Sequence, residues 1–252
     1  MLIPRITNIA TLQSAGLASA LGRLPVRLYT NSSDAIVDIE SSTSIGNTWV
    51  QTSQLGSVDE LIALFDQGIE GVIVSDDVYQ QLAASESEQL GRIPQARLGV
   101  YFGLLSDQKA EQFLVNVITR VAMVVLPSGV AESNRAALVS AVAQAEKAGY
   151  LPEVGGARRV VVDLWENASV EAISGYAQAG CSVIVPAEAL SLDSQRGISV
   201  GSAFVAANGL HSDRPDGLFV TVVCDERNEC LGVVYSNQES ILEALKTGEG
   251  VY

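Results

Sequence analysis

Two acidic residues stand directly after runs of apolar, mostly β-branched residues, a position from which carboxyl groups can do chemistry. Asp163 follows Val160-Val161-Val162, and Asp38 follows Ile36-Val37. A carboxyl group at the end of a buried strand can act as a general acid or base. Acids at such positions more often cap helices or lie in solvated loops. Asp38 and Asp163 are therefore weak candidate catalytic residues, with a structural role as the alternative.

One short segment has the composition of an anion-binding site. It reads Gly155-Gly156-Ala157-Arg158-Arg159. Glycine amides and guanidinium groups can bind a phosphate, so Arg158 and Arg159 are weak candidate substrate-binding residues. A strand rather than a helix is predicted to follow at Val160, so a loop leading into a buried strand explains the pattern equally well. The sequence contains no dinucleotide fingerprint, P-loop or zinc motif.

The single histidine and the three cysteines form no recognisable catalytic or metal-binding motif. His211 lies in a polar segment, and no motif places a serine or cysteine beside it, so we expect it to be exposed. The spacing of Cys181, Cys224 and Cys230 is not that of a metal site, and an odd number of cysteines predicts reduced thiols in the cytoplasm. Cys224 and Cys230 flank a predicted turn, where strand packing is favoured over metal or redox chemistry. We therefore predict no cofactor and no metal ligand in this chain.

The elements that must position these residues follow an α/β pattern over residues 1–210. Short β-prone runs alternate with amphipathic helical segments, which is typical of a layered fold with parallel strands. The predicted strands are Val26–Tyr29, Ala35–Ile39, Gly71–Val74, Leu98–Phe102, Ala122–Leu126, Val160–Leu164 and Ser182–Val185. The predicted helices are Val58–Gln67, Asp107–Thr119, Glu132–Ala148 and Val170–Ala179.

An internal similarity links two of these helix–strand units. The first begins at Ser57-Val58-Asp59 and the second at Ser169-Val170-Glu171, an offset of 112 residues. Each predicts a helix capped by serine, a glycine that ends it, and a buried parallel strand. The similarity indicates either duplication of a half-domain or the general likeness of any two such units.

Residues 211–252 have a different pattern. Leu218–Cys224 and Cys230–Tyr235 are β-prone runs joined by a five-residue polar connection, which predicts a hairpin. Asn237 then caps a helix that ends at Thr247-Gly248. Val251-Tyr252 is predicted to begin a third strand, so we expect the chain to stop inside a domain. The predicted domains are therefore 1–210 and 211–252.

The second segment resembles a known enzyme family. Asp213-Arg214-Pro215-Asp216-Gly217-Leu218 before the first strand, Cys230-Leu231-Gly232-Val233-Val234-Tyr235-Ser236 in the second, and Gly250-Val251-Tyr252 resemble the opening of a phosphoribosyl-AMP cyclohydrolase domain. The form is similar to that of the fungal trifunctional histidine-biosynthesis family. That family joins the cyclohydrolase to a phosphoribosyl-ATP pyrophosphohydrolase and a histidinol dehydrogenase.

This resemblance implies a multifunctional fungal hydrolase that opens the adenine ring of phosphoribosyl-AMP with metal-activated water. It implies a homodimer with a small nucleotide substrate, and zinc and magnesium for the complete domain. The family's metal ligands follow the segment that matches, so we expect this chain alone to be inactive.

Residues 1–74 carry a second resemblance, to the β/α-barrel isomerases of histidine biosynthesis. It rests on Met1-Leu2-Ile3-Pro4 as an opening strand and on Ser57–Val74 as a late unit. The family has an aspartate soon after the opening proline, where Arg5-Ile6-Thr7-Asn8 stands here. It also has a glycine where Ser75-Asp76-Asp77 stands, and two carboxylates repel phosphate. We therefore expect a degenerate barrel that is non-catalytic, with a stand-alone sugar-phosphate-binding or isomerase-like enzyme as the alternative.

Composition excludes several classes of function. The chain carries 29 acidic and 15 basic residues and a net charge of -14, so a nucleic-acid partner is not expected. Hydrophobic residues make up 48% of the 252 residues, enough for a large core. No run approaches the roughly 20 apolar residues that a membrane span requires.

Overall fold

Eight parallel strands form a closed barrel. The computed structural model describes residues 1–30, 48–103, 108–133, 160–193, 195–225 and 227–252, with a few isolated positions between them. Each strand pairs with the next along the chain, and β8 pairs with β1 to close the ring. The strands are β1 (Leu2–Ile6), β2 (Arg27–Tyr29), β3 (Thr48–Thr52), β4 (Gly71–Ser75), β5 (Leu98–Tyr101), β6 (Met123–Pro127), β7 (Val160–Asp163) and β8 (Ser182–Pro186).

Helices connect the strands, and a hairpin follows the barrel. The helices are α1 (Ile9–Ser14), α2 (Ala18–Gly22), α3 (Val58–Asp66), α4 (Asp76–Ser85), α5 (Ser87–Leu90), α6 (Gln108–Ile118), α7 (Ser128–Ser133), α8 (Val170–Gln178), α9 (Val200–Ala207) and α10 (Gln238–Thr247). The remaining strands are the short parallel pair β9 (Leu190–Ser191) and β10 (Ile198–Ser199), and the antiparallel hairpin β11 (Phe219–Cys224) and β12 (Cys230–Ser236). No helix among the described residues is long and apolar enough to cross a bilayer.

The barrel strands are buried on both faces, which explains their continuous apolar runs. Side chains that alternate along each strand separate into an outer shell under the helices and an inner filling. The strand register advances by about one residue per strand, so alternate strands contribute each inner layer. Two such layers are apolar: the even strands supply Leu28, Ile73, Val125 and Ile184, and the odd strands supply Ile3, Trp49, Gly99 and Val161.

The packing of side chains inside the barrel requires a glycine at position 71. A Cβ atom on Gly71 would lie 2.4 Å from the Trp49 ring. The fully buried indole therefore crosses the barrel only because β4 begins without a side chain.

The internal similarity falls on equivalent parts of the two barrel halves. Ser57 and Ser169 have nearly the same backbone angles and each accepts a hydrogen bond from the third residue of its helix. Gly68 and Gly180, which end the two helices, share a φ of 86°. The strands that follow are β4 and β8, four places apart in the eight-stranded ring. This placement supports the hypothesis of a duplicated half-domain.

The predicted hairpin and helix are present after the barrel. Asn237 forms a capping box with Ser240 at the start of α10, and Gly248 ends the helix in the left-handed conformation, with φ 76°. The prediction that Val251 and Tyr252 begin a third strand is wrong, since both residues adopt no regular structure and no strand among the described residues pairs with them.

Helix α10 packs on the barrel domain through two specific contacts. A Cβ atom on Gly201 of α9 would lie 2.7 Å from the Gln238 carbonyl oxygen, so the two helices approach closely because this residue is glycine. The Arg23 guanidinium group donates to the Leu245 carbonyl at 2.6 Å and the Lys246 carbonyl at 3.1 Å. Both acceptors lie in the last turn of α10, where a cation also interacts favourably with the helix dipole.

Most sequence predictions for residues 1–210 are confirmed, to within one or two residues at the ends. Of the described elements, the sequence analysis missed three strands and five helices, namely β3, β9, β10, α1, α2, α4, α5 and α9. Of the predicted strand Ala35–Ile39 only Ile36 is among the described residues, and it is helical, so the prediction of a strand is wrong at that position. Helix α7 begins at Ser128, ahead of the predicted start at Glu132. Beyond Ser133 only Ser140, Ala143 and Lys147 of the predicted helix Glu132–Ala148 are described, and all three are helical, as predicted.

Candidate functional site

The carboxyl ends of the odd strands place four polar side chains at the barrel mouth. The same stagger that builds the apolar layers brings together Arg5 of β1, Gln51 of β3, Tyr101 of β5 and Asp163 of β7. We call these four residues the mouth layer. In barrel enzymes this end carries the active site, so the mouth layer is the candidate site.

A buried ion pair dominates the mouth layer. The Arg5 Nη2 donates to Asp163 Oδ2, and both side chains are only 2% exposed. The same Nη2 lies 3.5 Å from Gln51 Oε1. The Arg5 Nε is buried and has no hydrogen-bond partner among the residues that the structure describes. Arg5 therefore occupies the barrel axis, with its charge balanced by Asp163.

The second oxygen of Asp163 is also engaged. Its Oδ1 accepts a hydrogen bond from the Trp165 backbone N–H at 3.3 Å. Tyr101, in the same layer, interacts electrostatically with this carboxylate. Burial, followed by the negative charge of Asp163, raises the pKa of Tyr101 above its ordinary value of 10.0, so the phenol stays protonated and can donate. A carboxylate with these partners is an ion-pair acceptor rather than a free base.

Trp165 covers the guanidinium group from the solvent side. The Arg5 guanidinium carbon lies 4.8 Å from the centroid of the indole, in cation–π contact. Trp165 has a φ of 35°, and a bulky residue in this region is under backbone strain. Its side chain is 52% exposed, so one face of an aromatic ring remains open to solvent at the mouth.

The rim of the mouth is acidic. Thr7, close to where the isomerase family has an aspartate, donates a hydrogen bond of 2.6 Å to Glu188, which follows β8. Ser75 caps α4 directly at the end of β4, and Asp76 and Asp77 fill its first turn. Burial, and then the charge of Asp77, raise the pKa of Asp76 above 3.8. The negative charges occupy the helix terminus that would otherwise attract a phosphate.

The predicted site residues are distributed unevenly over the structure. Asp163 lies in the mouth layer, while Asp38, Arg158 and Arg159 lie outside the described residues, and the roles predicted for them stay predictions. His211 is exposed as expected, 3.7 Å from Asp213. Sequence analysis missed Gln51, Tyr101 and Trp165, and it noted Arg5 only where an acid was missing. The charge of Arg5 inside the otherwise apolar run Leu2–Ile6 is the sequence feature that would have indicated its role in the site.

A cleft of about 420 Å³ lies beside the mouth, between the start of α7 and α8. The Tyr176 hydroxyl lies 3.4 Å from the Ser128 carbonyl oxygen and 3.3 Å from the Glu132 carboxylate, so its one proton is shared between these two acceptors. The described lining contains Glu132 and no arginine or lysine. The described residues of this cleft therefore offer no cation to a sugar phosphate.

The cyclohydrolase resemblance implies zinc and magnesium, but the described residues do not provide a set of ligands for these ions. Among the described residues, no group of three or more histidine, cysteine, aspartate or glutamate side chains could hold an ion. The described residues therefore do not form a zinc or magnesium site.

The chain is similar to fungal histidine-biosynthesis proteins along most of its length. It is 28% identical to a histidine biosynthesis trifunctional protein of Komagataella pastoris over 228 residues, 89% of this chain and 23% of that protein. It is 25% identical to a histidine biosynthesis bifunctional protein of Schizosaccharomyces pombe over 205 residues, 80% of this chain and 45% of that protein. A trifunctional protein of Saccharomyces bayanus is 56% identical over 43 residues, 17% of this chain and 5% of that protein.

These relatives are multifunctional proteins, and the chain corresponds to a fragment of such a protein. It spans about a quarter of the trifunctional relatives' length and less than half of the bifunctional one. No protein-family model matches the chain.

Proposed function

We propose that this chain is the part of a histidine-biosynthesis multifunctional protein in which a non-catalytic barrel supports the start of a cyclohydrolase domain. Residues 1–210 are the scaffold. Residues 211–252 begin the domain that, once complete, hydrolyses the adenine ring of phosphoribosyl-AMP. The observation that carries the scaffold role is the Arg5–Asp163 ion pair, which fills the barrel mouth with protein groups.

An isomerase-type barrel needs an acid and a base that are free to exchange protons with a substrate. Here the two Asp163 oxygens are engaged by Arg5 and by the Trp165 backbone amide. Thr7 is a hydroxyl where the related family has a carboxyl group. The acidic first turn of α4 opposes phosphate binding. These features argue against the alternative, a stand-alone sugar-phosphate-binding protein or isomerase-like enzyme.

The contacts that α10 makes with the barrel domain also support a scaffold role for residues 1–210. A hairpin with one helix buries too little apolar surface to be stable alone. In this chain Gly201 and Arg23 hold α10 against α9 and α2. The barrel thereby fixes the position of the hairpin that opens the cyclohydrolase-like segment.

Complementation and direct assay test the proposal together. We expect the 252-residue chain to show no turnover of phosphoribosyl-AMP with zinc and magnesium, and no growth of an isomerase-deficient strain. In a gene that encodes the complete multifunctional protein, deletion of residues 1–210 should lower the amount of folded cyclohydrolase and leave kcat per folded molecule nearly unchanged.

Two results would contradict the proposal. Growth of the isomerase-deficient strain that is lost with Asp163→Asn would show that the barrel is catalytic. A fall in kcat without a fall in folded protein would show that the barrel takes part in the cyclohydrolase reaction. The matched control is Glu88→Gln, which removes an exposed carboxylate remote from the mouth layer.

A further inference from the structure

Two exposed cysteines face each other at the tip of the hairpin. Cys224 ends β11 and Cys230 begins β12, and the strand register pairs them directly. Both are exposed and neither is in a disulfide. Cys181, the third cysteine, is only 1% exposed inside the barrel domain. The hairpin therefore carries a solvent-accessible dithiol that the proposed function does not use.

Hydrogen bonds among the described residues stabilise the turn between the two cysteines. The Asp225 backbone N–H donates to the Glu229 carbonyl at 3.0 Å, which closes the connection. The Asp225 carboxylate accepts hydrogen bonds from the Arg227 N–H at 2.8 Å and the Glu229 N–H at 2.9 Å. Asn228 adopts the left-handed conformation, with φ 61°, as turns of this kind require. The residues that flank the turn are thus fixed opposite each other before any reaction.

The strand geometry also suits a covalent link. Directly opposed residues of an antiparallel pair have Cα atoms about 4.5–5.5 Å apart, inside the range found for disulfides. The register shifts between Val223 and Cys224, so Cys230 and Leu231 both oppose Cys224 in a bulge, and all three are exposed. The Cys230 thiol contacts the Gly232 carbonyl at 3.7 Å, a weak interaction that a rotation about χ1 replaces.

We infer that Cys224 and Cys230 form a reversible dithiol–disulfide site. A peroxide first oxidises one thiolate to a sulfenic acid and is reduced to water. The second thiol attacks that sulfur, the S–S bond forms and a second water leaves. Overall, two thiols and hydrogen peroxide give one disulfide and two waters. A low-molecular-weight disulfide does the same by exchange, and its two thiols leave reduced.

A metal site explains the pair less well. Two sulfurs give at most two ligands, and no third histidine, cysteine, aspartate or glutamate among the described residues completes a group. Zinc sites in proteins take at least three protein ligands. The dithiol is therefore suited to redox exchange rather than to holding an ion.

Peptide mapping gives a direct test, because Arg227 lies between the two cysteines. Trypsin separates them into the peptides 197–227 and 228–246, which stay joined only through a disulfide. The 252-residue chain would be treated with hydrogen peroxide or glutathione disulfide, blocked with an alkylating agent and digested without reductant. We expect the two peptides to be linked, the intact chain to be lighter by two hydrogen atoms, and dithiothreitol to reverse both changes.

The Cys224→Ser variant supplies a second readout, the abundance of the glutathione adduct. In the unchanged chain the neighbouring thiol should displace glutathione, so the adduct at Cys230 should be at least about 10-fold less abundant than in the variant. Cys181→Ser is the matched control and should behave as the unchanged chain. Stable glutathione adducts on both hairpin cysteines, or linked peptides that form only between two chains, would overturn the inference.

Discussion

The buried ion pair of the mouth layer should respond to substitution in a way that separates charge balance from packing. Arg5→Met keeps a long apolar side chain in the barrel axis but leaves the Asp163 carboxylate buried without its cation. Removing one partner of a buried pair costs about 3–5 kcal/mol, because an uncompensated charge remains. Asp163→Leu leaves the Arg5 guanidinium group buried without its counter-charge and should lower the free energy of unfolding by a similar amount.

The double variant is the informative one. With both charges replaced by apolar groups, no ion is left buried, and such replacements are often neutral or stabilising. Tyr101 is partly exposed and can bond to water when the carboxylate is gone. We therefore expect the double variant to lie within about 2 kcal/mol of the unchanged chain, with a coupling energy of at least about 4 kcal/mol between the two sites.

Urea unfolding, read as the midpoint at constant m, measures these differences. Thermal unfolding gives the same order, at roughly 2–4 °C per kcal/mol for a chain of this size. Arg92→Met is the control, since it breaks an exposed pair with Glu88 and should cost less than about 1 kcal/mol. If the two single variants each cost under about 1 kcal/mol, or if their costs simply add, the ion pair does not hold the mouth as described.

Two further predictions concern the C-terminal segment. Gly201→Ala should destabilise the docked α10 by about 1–3 kcal/mol and speed hydrogen exchange in the hairpin. The control is Gly175→Ala, in a helix with open space around this residue, which should be neutral or stabilising. Equal effects of the two changes would argue against close packing at Gly201. The Arg214 guanidinium group lowers the pKa of Asp216 to about 2, so its stabilising effect should be present above pH 3.8 and lost as the pH falls toward 2. Arg214→Ala should return that pKa toward 3.8 in a carboxyl-resolved NMR titration, and an unchanged value would show that the pair is not formed in solution.

The sequence predicts the fold well where local signals agree. Ser57 and Ser169 mark helix starts, Gly68 and Gly180 mark helix ends, and β-branched runs mark the strands between them. Strand β3 was missed because its residues, Thr48–Thr52, are polar at both ends and gain their burial only from the closed ring. Its place follows from barrel closure, which no local pattern encodes.

The candidate site is much less visible in sequence than the fold. Arg5, Gln51, Tyr101 and Asp163 are far apart in the chain and meet only because the stagger places alternate strands in one layer. Asp163 was predicted from its position at a strand end, but its partner was not. The pairing depends on barrel register, a three-dimensional property to which each strand contributes one residue.

That same layer constrains how the barrel can assemble. Successive side chains of a strand point to opposite faces, so a slip of β1 by one residue would turn Arg5 outward, into the apolar shell occupied by Leu2 and Ile6. A lone guanidinium group there would be desolvated without a counter-charge, at a cost of several kcal/mol. Asp163 would remain unpaired inside at the same time. Misregistered barrels are thus penalised twice, so the ion pair selects one closed arrangement among the near-equivalent ones that an all-apolar interior would permit.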